Sequence, residues 1–331
     1  MKTTRILLPA LRFVARRPRP AVAALTLWLV APLTASPGVM AFAQGGTSRS
    51  SGLPSRLEIL PMLRTVEHSN FFQVSEDLGP EDVREDEARI RVRYRVTEDR
   101  RVRVYGELGI SQYDSRRLDN APRRRVGVMS GGPRHAFDSS LAFVSNGREV
   151  ELTDAVRASD IWNWVGLYDY WLTEAWQVGV RAVLWQQEFD DDTARVDTNE
   201  IGVRARYRGF GRIFSPEVGL LRRQSSDAVG RNDYDEDLSY VRLHFSPTPR
   251  VGFSLRYRFR DRAFSTTDPT ISNFGRSDER DKWTLLLSSQ VWKNLDLRLI
   301  YDRIDGRSTD PTHVFDSQDL GLILAWRLGG G

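Results

Sequence analysis

The chain has 331 residues, 28% charged and 40% hydrophobic, with a formal net charge of +4 and no cysteine. Without cysteine there is no disulfide framework, no thiolate metal site and no cysteine nucleophile. The positive charge sits at the start: residues 1–43 hold Lys2, Arg5, Arg12, Arg16, Arg17 and Arg19 and no acid, which leaves 42 basic residues against 44 acids in the rest. A nucleic-acid-binding reading thereby loses its main support.

Residues 21–33 (AVAALTLWLVAPL) form a short apolar run behind the basic start, and Ala41-Phe42-Ala43 precedes Gln44. Basic region, short apolar region and small–x–small site are the order of a secretory signal, so cleavage is expected after Ala43. The run is too short to span a bilayer comfortably as a helix, which takes about 20 residues. No cysteine follows the expected cleavage site. Residues 44–55 read as a periplasmic lead-in.

From residue 56 onward the hydrophobic period is 2, not 3.6. In Arg89–Val96, Ile90, Val92, Tyr94 and Val96 alternate with four arginines. On a strand the two sets occupy opposite faces; on a helix they would be smeared around the axis. Val251, Phe253, Leu255, Tyr257 and Phe259 alternate with Gly252, Ser254, Arg256, Arg258 and Arg260, and Ile201, Val203, Ala205 and Tyr207 with Gly202, Arg204, Arg206 and Arg208. The pattern predicts strands at 56–68, 86–97, 101–113, 160–173, 176–189, 198–209, 213–225, 236–246, 250–264, 280–292, 294–305 and 317–328.

The connections between them alternate short (98–100, 174–175, 210–212, 247–249, 293) and long (69–85, 114–159, 190–197, 226–235, 265–279, 306–316). Short and long turns in strict alternation, between strands long enough to cross a bilayer when tilted, mark an outer-membrane barrel. Hydrocarbon explains closure: each backbone N–H and C=O must be paired internally, and an open sheet would leave an edge unpaired. The expected fold is therefore all-β, a transmembrane antiparallel up-and-down barrel of about twelve strands over 56–328, with both termini periplasmic and a short tail at 329–331. Segment 114–159 is long for a loop. Its Ser145-Asn146-Gly147, flanked by Leu141–Val144 and Val150–Leu152, suggests a hairpin, which leaves a fourteen-strand barrel open as an alternative. Trp162, Trp164, Tyr168, Tyr170, Trp171, Trp176, Trp185, Trp283, Trp292 and Trp326 gather near strand ends, where interfacial girdles are found.

In the last strand Leu320, Leu322, Leu324, Trp326 and Leu328 alternate with Gly321, Ile323, Ala325 and Arg327. This resembles the C-terminal assembly signal of Gram-negative outer-membrane proteins, with Leu328 where the family usually has an aromatic residue. Over residues 55–328 the chain resembles porin-like outer-membrane β-barrels. That resemblance implies an outer-membrane location and, as partners, outer-membrane lipids, lipopolysaccharide and the barrel-assembly machinery.

The alternation places Arg91, Arg93, Arg95, Arg204, Arg206, Arg208, Arg242, Arg256, Arg258, Arg260 and Arg298 in the lumen. After the leader only Lys282 and Lys293 stand against 40 arginines. Arginine offers a permanently charged planar fork matched to carboxylate, sulfate or phosphate. A wall of such forks would let anionic solutes or acidic oligosaccharides pass between equivalent sites. In strand count and arginine use the chain is similar to narrow porins for acidic sugars. The competing reading is a structural one, in which these arginines pair with Glu107, Glu217, Asp237, Asp296 and Asp302 and fill the lumen. A third reading is a barrel that accompanies exopolysaccharide export or secretion; His68-Ser69-Asn70-Phe71-Phe72 is similar to the start of such barrels.

A hydrolase needs a nucleophile beside a base. Of His68, His135, His244 and His313, only His244 lies in a well-patterned strand facing inward, and Ser239 of that strand falls on the opposite face. The acids at 190–192 and at Asp233, Asp235, Glu236 and Asp237 lie near the outer rim. No phosphate loop, metal-ligand spacing or dinucleotide fingerprint occurs, so no cofactor, metal or catalytic residue is expected. The leading expectation is a non-enzymatic passive pore.

Overall fold

The computed structural model describes residues 56–70, 81–97, 101–115, 120–147, 159–189, 195–209, 213–227, 230, 233–271 and 273–329. The leader, the lead-in and the acids at 190–192 lie outside them. Fourteen long strands follow one another: β1 (Leu57–His68), β2 (Val83–Arg95), β3 (Val102–Tyr113), β4 (Ala121–Gly131), β5 (His135–Gly147), β6 (Ser159–Trp171), β7 (Trp176–Phe189), β8 (Arg195–Tyr207), β9 (Phe214–Asp227), β10 (Tyr234–Thr248), β11 (Val251–Phe264), β12 (Ser277–Trp292), β13 (Leu295–Ser308) and β14 (Phe315–Trp326). Each is antiparallel to its sequence neighbour. The sheet closes through β1 and β14, with Met62 opposite Ala325 and His68 opposite Asp319. A two-residue β15 (Leu328–Gly329) carries the last strand's pairing onward beside Ile59. All twelve expected strands are present.

The strand count is corrected from twelve to fourteen, because β4 and β5 occupy most of 121–147. They turn at Gly132-Pro133-Arg134, not at Asn146-Gly147; Gly147 still pairs with Ser159 of β6. Strand β4 hides its period. Its outward face mixes Val126 and Val128 with Pro122, Arg124 and Ser130, and its inward face mixes Arg123 and Arg125 with Gly127 and Met129, so the alternation is broken at both ends of the strand. The Gly-Gly-Pro at 131–133 was the turn signal in the sequence.

Closure and register sort the side chains between two solvents. Residues opposite one another share a face. On one face Ile201 and Leu220 are 62% and 64% exposed, and on the other Glu236 and Arg262 are 1% exposed. Apolar outside and charged inside is the reverse of a water-soluble globule. It is the arrangement demanded when the outer solvent is hydrocarbon. Trp162, Trp164, Tyr168, Trp176, Trp283, Trp292 and Trp326 point outward. Trp171 and Trp185 are corrections to the girdle: Trp171 faces the lumen beside Arg208, and Trp185 is buried in the lumen, packed with Ile161 and Val183.

The turns at the end where β1 begins and β14 ends span 2–6 residues and those at the other end 5–14. Short turns are periplasmic in such barrels. Strands of 11–16 residues exceed the ~9–11 that a bilayer requires. The excess projects at the outer end, where outward positions become charged and pair with one another, as in Arg222–Asp235 and Arg303–Asp316.

Candidate functional site in the lumen

The register places every expected arginine on the luminal face. Arg91, Arg93 and Arg95 come from β2; Arg204 and Arg206 from β8, with Arg208 just past its end; Arg242 from β10; Arg256, Arg258 and Arg260 from β11; and Arg298 from β13. Of the acids expected to meet them, Glu107, Glu217, Asp296 and Asp302 face inward. Asp237 does not: Glu236 is the luminal residue, and Asp237 points outward and is largely exposed. The slip is one residue, which on a strand exchanges the faces.

In the outer half of the lumen, arginines and acids pack against one another away from water. The Glu236 carboxylate meets Arg223 Nη1 at 2.8 Å, Arg262 Nε at 2.9 Å and Arg260 Nε at 3.3 Å. Arg223 also reaches Glu200 at 2.8 Å, and Arg276 holds Asp278 at 2.6 Å. Aromatic faces complete the packing. The Arg262 guanidinium lies 4.1 Å from the Tyr234 ring centre, Arg223 5.0 Å from that of Trp185, and Arg280 5.0 Å from that of Phe315. Such contacts stabilise a desolvated cation by about 2 kcal/mol. On the opposite wall Arg91 pairs with Glu107, and Arg89 with Glu87. His68 Nδ1 meets Asp319 Oδ1 at 3.0 Å across the β1–β14 seam, and Ser69 Oγ accepts from the Gln318 N–H at 2.7 Å. The His68–Asn70 segment thus stitches the first strand to the last.

At mid-height Arg204 grips Asp169 with Nη2 at 2.7 and 2.8 Å and Nε at 3.0 Å. Gly179 makes room for that pair: a Cβ there would stand 2.2 Å from Asp169 Oδ1. Arg206 pairs with Glu217, whose other oxygen accepts from Tyr240 Oη at 3.0 Å. The Tyr240 ring lies across Gly219, where a Cβ would be 2.2 Å from Cε1.

Toward the periplasmic end the lumen opens. A cavity of about 430 Å³ is walled by Arg206, Arg208, Ser215, Glu217, Arg242 and His244. Glu217 is its one carboxylate, and both its oxygens are already engaged. Arg242 donates Nε–H to Ser254 Oγ at 2.9 Å and stands across from Arg256 in the ladder. Arg208 lies 5.8 Å from the Trp171 ring centre. His244 Nε2 is 2.8 Å from Ser246 Oγ, and its buried Nδ1 has no hydrogen-bond partner among the described residues. Ser239 and His244 occupy opposite faces, as expected. On the far wall Glu58 receives Arg93 at 3.3 Å and Arg327 at 3.4 Å. Among the described residues Arg298, exposed to the lumen, has no carboxylate partner within salt-bridge distance. A larger cavity, about 740 Å³, lies on the outer wall among Tyr168, Val180, Val203, Leu220 and Val241. That surface faces lipid and is not part of the luminal site.

The residues that sequence reasoning missed are the outer-half partners: Glu200, Arg223, Glu236, Arg262 and Arg280. Each occupies a luminal position near the outer end of its strand, where polarity alone does not separate lumen from loop. No group of three or more metal-ligating side chains occurs among the described residues.

A closed fourteen-strand barrel with an apolar exterior and a charged interior is a transmembrane β-barrel, and its place is the outer membrane of a Gram-negative bacterium. No family model matches the sequence, and no curated protein sequence matches it either. Solved outer-membrane barrels align with the chain at low identity. The TodX monoaromatic hydrocarbon channel, in a deletion mutant, aligns over 90% of this chain and 93% of its own, at 10% identity and a TM-score of 0.49. OmpT, an outer-membrane protein of Vibrio cholerae, aligns over 85% and 100%, at 9% identity and 0.48. An anion-selective porin from Comamonas acidovorans aligns over 82% and 99%, at 8% identity and 0.46. At these levels the likeness concerns barrel architecture only.

Proposed function

We propose that the barrel is a passive pore whose periplasmic vestibule favours anionic solutes, small acids or acidic oligosaccharides. The observation that carries this reading is the 430 Å³ cavity, which Arg206, Arg208 and Arg242 line with Glu217 as the sole acid among its lining residues. Fixed cations in a narrow, low-dielectric passage raise the local anion concentration. The outward charged pairs above the apolar belt suit lipopolysaccharide headgroups as their surroundings.

The buried network around Glu236 favours a second reading, a structural or partner-binding barrel whose outer half is filled. Reversal potentials in planar bilayers under a KCl gradient separate the two. The pore reading predicts an anion-selective wild-type channel whose preference disappears when Arg206, Arg208 and Arg242 are all replaced by Ser. A cation-selective channel overturns anion preference, and a silent bilayer favours the structural barrel.

A further inference from the structure

We propose that the vestibule holds a defined oxyanion seat between Arg242 and His244, and that filling it is coupled to protonation of His244. The proposal rests on the anion-favouring reading of the lumen and goes beyond it, because a fixed charge field needs no seat and no proton.

Three features carry it. First, Arg242 spends one N–H on the Ser254 hydroxyl and meets no carboxylate among the described residues, so its outer guanidinium edge is available to a planar or tetrahedral oxyanion. Second, Glu217 cannot neutralise the cavity alone, since Arg206 and the Tyr240 hydroxyl already occupy its two oxygens. Third, His244 lines the same cavity with a buried Nδ1 that lacks a partner. A buried polar atom left unpaired costs about 1–3 kcal/mol.

The surroundings of His244 define the coupling. Strand β8 and its end contribute Arg206 and Arg208, β9 contributes Ser215 and Glu217, and β10 itself contributes Arg242 and Ser246. Strand β11 places Ser254 opposite the imidazole, with Arg256 one rung further along, and β12 places Ser288 beside Gly252. Cations dominate this shell, so a proton on the ring and an anion in the cavity favour one another. An anion in the cavity offsets the cations' repulsion and lets the ring accept a proton, which adds a second donor beside Arg242. By linkage, a proton on His244 then strengthens anion binding by the same factor. Carboxylate, sulfate and phosphate share this chemistry, and two probes distinguish their shapes.

The test is calorimetric titration of the purified full-length barrel in detergent with sulfate, whose charge is constant over the range, and in parallel with acetate. Wild type should bind sulfate saturably, with half-saturation falling about fivefold or more from about pH 8 to about pH 6. His244→Gln should keep the binding and lose its pH dependence. Arg242→Ser should lose saturable binding at both pH values, and Arg242→Lys should weaken it. Stronger binding of acetate than of sulfate assigns the seat to planar carboxylates, and the reverse assigns it to tetrahedral anions; either supports a seat. Unchanged binding in Arg242→Ser, or an unchanged pH dependence in His244→Gln, overturns it. Binding is read without current, so a silent bilayer with saturable sulfate binding removes the pore and keeps the seat. An anion-selective channel without saturable binding does the opposite.

Discussion

The two ends of the lumen use the same residue at the same alternating positions to opposite effect. Around Glu236, Arg223, Arg260 and Arg262 are buried against carboxylate and aromatic faces. Around the vestibule, Arg206, Arg208 and Arg242 border open space with one acid among them. The difference is not in the register, since Arg260 stands opposite Leu238 and Arg280 whereas Arg242 stands between Glu217 and Arg256. It lies in the contacts: the buried Glu236 carboxylate meets three guanidinium groups, and aromatic rings cover Arg223 and Arg262, while Glu217 is taken by Arg206 and the Tyr240 hydroxyl and Arg242 bonds Ser254. An arginine ladder therefore carries no function by itself. The contacts each arginine makes decide whether it is filling or a lining.

Removing a charge at each end sharpens that contrast. Glu236→Gln removes the charge of the carboxylate that Arg223, Arg260 and Arg262 share, while Arg223 keeps its contact with Glu200, and loss of one partner of a buried ion pair typically costs about 3–5 kcal/mol. The expected result is a large drop in the urea midpoint of the folded barrel in lipid vesicles. A smaller effect is expected at mid-height, where Gly219→Val drives a side chain into the Tyr240 ring and pushes its hydroxyl off Glu217. Overpacking of this kind costs about 1–3 kcal/mol, and the same unfolding titration reads it. The smallest change is outside the lumen. The Arg222–Asp235 pair at 3.4 Å is about half exposed on both sides, so Arg222→Ala should shift stability by less than about 1 kcal/mol. If Glu236→Gln were as mild as Arg222→Ala, the distinction between a packed and an open half would fail.

Much of this barrel was written in its alternation. Twelve strands, their order and the luminal side of all eleven arginines followed from period 2, because each solvent accepts only its own kind of side chain. Strands β4 and β5 were hidden for a physical reason. Wherever the wall is built of Gly, Ser and Pro, as at Gly127, Ser130 and Pro122, neither face declares itself. The Asn146-Gly147 dipeptide, a good turn signal elsewhere, here ends a strand at the outer rim. The site was less legible than the wall. Alternation tells that Arg206 and Arg260 share a lumen, but pairing depends on register across strands, which moved the inward acid of β10 from Asp237 to Glu236. Nor does alternation show that Glu217 is already held by Tyr240, the contact that leaves Arg242 without a carboxylate.

The whole account depends on consecutive residues meeting different solvents. Because the chain has no cysteine, single cysteines placed one at a time at positions 241–246 of β10 give a clean reading in reconstituted vesicles. The structure predicts that 242, 244 and 246 react with a water-soluble maleimide through the vestibule. Probes at 241, 243 and 245 should instead be quenched by lipid-attached quenchers. Uniform reactivity along the six positions, or a repeat of three to four residues, would contradict the barrel and everything built on it.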